Sequence, residues 1–157
     1  MKKALSTFML AVMLTTSTSA CNSKWWQDFQ NNPAQYIDSY ITQVNAYVTT
    51  AEAVFAAIIV LLPADQQAAA EQAFAKAVAG VQHAIQALKD AEAAAAAAQQ
   101  SNPDFTALIN AVVDAITQVQ AIIDEFKTGS PRLGAPRQIA GYDELHATYA
   151  ALLRYKH

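Results

Sequence analysis

The sequence predicts an all-α fold: an up-down-up three-helix bundle with a short fourth helix toward its C-terminal end. Three observations carry this. Apolar residues recur in alternating steps of four and three over three long stretches, proline stands at the breaks between them, and alanine supplies much of the 54% hydrophobic content. The bundle is expected over residues 33–128, followed by a linker at 129–141 and the short helix at 142–157.

From Pro33 to Leu62 the positions Ile37, Ile41, Val44, Val48, Ala51, Phe55, Ile58 and Leu62 keep the rhythm. Tyr40, Tyr47, Val54 and Leu61, spaced by seven, add a second stripe. Three core positions per heptad describe a helix facing two neighbours rather than a thin coiled-coil seam. Asn31 and Asn32 before Pro33 predict a cap residue followed by proline at the first helical position. Ala53 to Leu62 is almost wholly apolar but far shorter than the ~20 residues a membrane span needs, so it reads as core. Pro63 forces Leu62 out of helical geometry and places a tight reversal there.

The second helix is expected to run to about Gln100, with Phe74, Val78, Val81, Ile85 and Leu88 as core. Ala70, Ala77, Ala84, Ala91 and Ala98 form a small-residue stripe that lets a neighbour approach closely. The pattern fades at Glu92, and at ~55 Å against ~44 Å for the first helix the Ala/Gln end is expected to overhang. Ser101-Asn102-Pro103-Asp104 repeats the start signal. The third helix then carries Phe105, Ile109, Val112, Ile116, Val119, Ile123 and Phe126, flanked by Leu108, Ala115 and Ile122, and Gly129 and Pro131 close it. Residues 129–141 have no period and read as an exposed linker. Tyr142, Leu145, Tyr149 and Leu152 mark the fourth helix, with Asp143 and Glu144 early and Arg154 and Lys156 late, as the helix dipole prefers. It either fills the groove left by the other three or stays mobile.

The N-terminal segment has a different character. Lys2 and Lys3, an apolar run from Phe8 to Leu14, and small polar residues before Cys21 have the layout of a secretory signal over residues 1–20. Thr18-Ser19-Ala20-Cys21 resembles the lipobox of bacterial lipoproteins. The resemblance implies that the Cys21 sulfur receives a diacylglycerol, that the chain is cut before it, and that the new N-terminus takes a further fatty acyl group such as palmitate. It implies a membrane partner through the lipid on Cys21, and Asn22 after the cysteine fits outer-membrane delivery in the enterobacterial sorting pattern. Lipoboxes usually carry Leu or another aliphatic residue where Thr18 stands. The same bond is also a small-x-small cleavage site of a soluble exported protein. Residues 21–32 then read as a tether. Its Trp25, Trp26 and Phe29 suit either a membrane interface or the capped end of a bundle core.

Removal of residues 1–20 leaves 137 of the 157 residues, enough for one domain with a real core. Cys21 is the sole cysteine, so no intrachain disulfide forms and stability comes from packing. From Asp28 to Glu125 there are 11 acids and two bases, Lys76 and Lys89. From Lys127 onward there are five bases (Lys127, Arg132, Arg137, Arg154, Lys156) and two acids. This basic tail either folds back onto the acidic body or meets an anionic surface.

Catalytic signatures are absent from the sequence. His83, His146 and His157 have no ligand partners at helical spacing, so no metal site is expected. Gly80, Gly129, Gly134 and Gly141 are too scattered for a phosphate loop, and no serine sits in a recognisable nucleophile context. Glu92 is the one acid at a core position. It either marks a polar cavity or lies at a frayed helix end; the core pattern is already fading there, so the frayed end is the expectation. Asp90, Asp124 and Glu125 read as ordinary solvated acids. An acidic body argues against nucleic acid. The expectation is a non-enzymatic envelope lipoprotein without cofactor or small-molecule substrate, whose bundle binds or braces a protein partner. Its contact surfaces are expected at the overhang and the basic tail, and deletion of residues 130–157 is expected to leave the bundle folded. The alternative is a small inhibitor or immunity-type lipoprotein that neutralises a toxin, phage component or hydrolase.

Overall fold

The computed structural model describes residues 23–100, 103–129 and 138–156. Cys21, the signal-like segment, the Ser101-Asn102 cap, Arg132, Arg137 and His157 lie outside the described residues. The fold is all-α. Five helices are described: α1 (Ser23–Asn31), α2 (Pro33–Ile59), α3 (Ala64–Ala97), α4 (Thr106–Gly129) and α5 (Tyr142–Leu152), the last continuing into a 3₁₀ turn at Leu153–Tyr155. There is no strand among the described residues.

Each boundary has a local cause. Pro33 opens α2, but the Asn32 side chain does not cap it; its amide donates instead to Gln35 Oε1 at 3.1 Å. At the other end Leu61 N–H bonds Ile58 O and Leu62 N–H bonds Ile59 O, a 3₁₀ tightening that ends the α-helix before Leu62. Pro63 is extended (ψ 144°), and Gln67 Nε2 donates to Leu62 O at 3.0 Å, satisfying a carbonyl left open by the turn. The last turn of α3 closes with Gln99 N–H to Ala96 O and Gln100 N–H to Ala95 O, the paired bonds of a Schellman motif. The left-handed position of that motif usually falls to glycine; here Gln99 occupies it at φ 51°. α4 begins later than the proline suggests. Asp104 stays ahead of the helix and accepts the Thr106 N–H at 2.9 Å, and hydrogen bonds from the Thr106 side chain and backbone hold its carboxyl below the usual range. Gly141 precedes α5 at φ 82°, where a side chain would be strained.

The four-three stripes are the core. Ile37, Val44, Ala51 and Ile58 of α2, Val81 and Leu88 of α3, and Val112, Ile116, Val119 and Ile123 of α4 are fully buried. Tyr40, Tyr47 and Val54 of the second α2 stripe are buried as well, because α2 packs against both α3 and α4 on one side and α5 on the other. Phe55 stacks on Phe74 with centroids 4.1 Å apart, and Phe126 meets Phe55 edge-on. At about 25 cal/mol per Å² of apolar area, burial on this scale is what a disulfide-free body of this size relies on.

Two parts of the sequence reading are revised. Residues 23–31, expected within a tether, form a helix whose Phe29 is 1% exposed and packs edge-on against Phe105 at 6.0 Å. The spacing from Trp25 to Phe29 is itself helical. The long overhang of α3 is also largely absent. Ala95 is still buried, beside Pro33 and Ala34 of α2 and the Pro103–Phe105 segment, while residues 96–100 are exposed.

Candidate functional site

Two regions concentrate polar chemistry against the core. The first is the end of the body where α1, the start of α2, the end of α3 and the start of α4 meet. A cleft of about 360 Å³ opens there, lined by Pro33 and Ala34 of α2, Glu92 and Ala95 of α3, and Gln99 and Phe105 among others. Its walls are mainly apolar, and Glu92 is half-buried on one of them. Burial, and then the neighbouring Asp38, push the Glu92 carboxyl above its ordinary pKa, while Lys89 pulls the other way. Glu92 is therefore set in the wall of a cleft and is not a frayed end. One carboxyl without a second polarising group offers a contact but no acid–base pair.

The second region is the seam under α5. Tyr47, 0% exposed, directs its hydroxyl at Gln120 Oε1 (3.2 Å) and Ile116 O (3.3 Å). Gln120, 2% exposed, donates through Nε2 to Asp124 Oδ1 at 3.0 Å, and Tyr142 of α5 donates to the same oxygen at 2.6 Å. Tyr149 Oη donates to Thr117 Oγ1 at 3.3 Å, and Lys127 Nζ sits 3.1 Å from the Tyr142 ring centroid. Asp124 is thus not an ordinary solvated acid but the hinge of a buried network joining α2, α4 and α5. Burial pushes the hydroxyls of Tyr40 and Tyr47 far up, with smaller contributions from Tyr155 on the first and Tyr149 on the second. Tyr142 is pushed up to about 12, by burial first and then by its bond to Asp124. These tyrosines stay protonated, and Tyr47 and Tyr142 act as donors.

The remaining residues singled out by the sequence are scattered. His83 is exposed on α3, and His146 is exposed on α5 with its ring about 6.2 Å from Tyr142 and 6.3 Å from Tyr149. Among the described residues no group of three or more His, Cys, Asp or Glu is arranged to hold a metal ion. The side chains of Trp25 and Trp26 are not described; their backbone belongs to α1. The described part of the basic tail lies on the body: α5 packs on α2 and α4, Lys156 pairs with Asp114 at 2.8 Å, and Lys127 covers Tyr142. Leu145 and Leu152 are 0% exposed, so α5 fills the groove, and removal of residues 130–157 would strip core from α2. By length and composition one described helix, Thr106–Thr128, is apolar enough to cross a membrane. Its outer positions Ala107, Ala111, Asp114, Gln118, Ala121 and Glu125 are alanine or polar, and its apolar stripe is buried in the fold.

No family model, curated protein or solved structure matches this chain. The functional reading therefore rests on its own residues.

Proposed function

We propose that this chain is a lipid-anchored protein of the bacterial envelope, held at Cys21, whose non-catalytic helical body binds or braces a protein partner. The observation that carries the reading is the order of parts at the N-terminal side. A signal-like segment and Cys21 are followed at Ser23 by α1, and Phe29 of α1 is built into the core against Phe105. An acyl group on Cys21 would hold the adjoining end of a packed body near the membrane, not the end of a long flexible tether. Asn22 favours the outer membrane as its destination. Within the body we read α2, α3 and α4 as up-down-up. The connection Val60–Pro63 is short, the three helices contact one another pairwise, and α5 lies in the groove between α2 and α4.

The partner-facing surface is the exposed acidic exterior together with the Glu92 cleft. The test is fractionation of cells expressing the chain or its Cys21→Ala variant, followed by cross-linking from exposed Ala34, Asp38 and Ala96. The wild type is expected in the detergent phase of the membrane fraction with one reproducible protein adduct, and the variant in the aqueous phase. A wild type found in the aqueous phase would remove the anchor from the account. Cross-linking to lipid alone would remove the protein partner.

A further inference from the structure

The cleft between the start of α2 and the end of α3 holds an acid without a counter-ion. Glu92 stands in the four-three stripe of α3, where Phe74, Val78, Val81, Ile85, Leu88 and Ala95 are all apolar. Its half-buried carboxyl makes no hydrogen bond or ion pair with any described residue. Lys89, three residues earlier, is exposed and not paired with it. Asp38, one turn beyond Ala34 on the same face of α2, adds a second negative charge. Burial first and Asp38 second raise the Glu92 carboxyl, and a cation in the cleft would offset both. The C-terminal end of α3 reaches the cleft through Gln99 and Gln100, and its dipole also favours a cation. The opposite dipole ends are weakened: Pro33 opens α2 without an N–H, and Asp104 accepts the Thr106 N–H of α4. The rest of the wall is mainly apolar, with Ala95 and Phe105 buried behind it. At about 360 Å³ the cleft lies at the small end for ligand sites, with room for one or two side chains.

We propose that this cleft receives a protein segment in which an apolar side chain adjoins a lysine or arginine. The apolar side chain packs against Ala95 and Phe105, and the cation meets Glu92 and Asp38. This rests on the reading of the body as a protein-binding module and adds the chemistry of the partner. Charge complementarity sets the occupant. An acidic or neutral segment would strip the remaining water from Glu92 and leave its charge unpaired, whereas a cation pairs it. A cation without an apolar neighbour would leave the apolar wall wet. The surrounding surface has the same sign, with 11 acids and two bases between Asp28 and Glu125, and attracts such a segment from a distance.

NMR titration of the full-length protein with end-capped hexapeptides tests this. Gly-Gly-Leu-Arg-Gly-Gly should give saturable shifts at the amides of Ala34, Glu92, Ala95 and Phe105, with a Kd on the order of 1 mM. Gly-Gly-Leu-Glu-Gly-Gly and Gly-Gly-Gly-Arg-Gly-Gly each lack one half of the pair and should bind about tenfold more weakly or worse. Glu92→Gln should weaken the Leu-Arg peptide about tenfold without weakening the Leu-Glu peptide. Ala96→Trp, at an exposed position in the wall, should abolish the shifts while the protein stays folded. Equal binding of the three peptides would overturn the inference, and so would Leu-Arg shifts that survive Glu92→Gln unchanged. No shift from the Leu-Arg peptide at about 10 mM would overturn it too. Cleft amides that move with protein concentration alone would give the site to a second copy of the chain and sink the proposal. The protein-binding reading fails on a different result, cross-links to lipid alone, so the two failures are told apart.

Discussion

Replacing Asp124 by alanine should destabilise the protein by about 2 kcal/mol, and adding Gln120→Leu should restore most of the loss. Asp124 Oδ1 is the acceptor for both Gln120 Nε2 and Tyr142 Oη. Without it the Gln120 amide is left buried and unpaired, at about 1–3 kcal/mol. The half-exposed Tyr142 hydroxyl turns to water, at about 0.5–1.5 kcal/mol. Alanine returns roughly 0.5 kcal/mol through better helix propensity. Gln120→Leu removes the orphaned amide, and Tyr47 keeps an acceptor in Ile116 O at 3.3 Å. The double variant should therefore lie within about 1 kcal/mol of the parent, whereas independent effects would add to within roughly 0.3–0.5 kcal/mol. Urea unfolding of the four proteins, with equal m-values, gives the cycle. Additive losses, or an Asp124→Ala variant as stable as the parent, would refute the network as described.

Three further outcomes follow from the same structure. The raised hydroxyls of Tyr40, Tyr47 and Tyr142 keep their protons in the folded protein when unfolded tyrosine begins to lose its own near 10.0. Stability is therefore fully present below that pH and falls above it, by about 1.4 kcal/mol per pH unit for each fully buried tyrosine; unfolding curves at about pH 9 and about pH 11 that coincide would contradict this. Glu92 has a folded pKa above its ordinary 4.5, so its stabilising contribution is lost as pH rises through that range. Glu92→Gln should melt higher than the parent at neutral pH, with the gain vanishing in acid. Gln99→Gly relieves a left-handed residue at φ 51° and should stabilise by about 1 kcal/mol, measurable as a higher midpoint in urea.

The helices and their buried faces were legible because periodicity reports burial directly. Every residue of the four-three stripe in α2 is buried, as are Phe105 through Ile123 of the α4 stripe. Val113 and Gln120 were not legible, because they lie off the four-three stripe of their helix and are buried all the same. Gln120 carries no signal as a single residue, and its role exists only once Tyr47 of α2 and Asp124, four residues along α4, converge on it. Asp124 looked solvated for the same reason. The spacing from Trp25 to Phe29 was readable as helical, yet its proximity to a cysteine drew it into a tether. Asn32 shows the opposite: a cap-type residue ahead of proline need not cap, and here its side-chain amide donates to Gln35 Oε1 while its oxygen makes no cap bond.

The central claim is an anchor at Cys21 on a packed helical body. Its most direct test is the intact mass of the full-length gene product purified from its native membrane, beside the Cys21→Ala variant. A chain beginning at Cys21 and heavier by two or three fatty chains, with that increment lost in the variant, is the predicted result. A bare mass beginning at Cys21, or one retaining residues 1–20, would contradict the anchor.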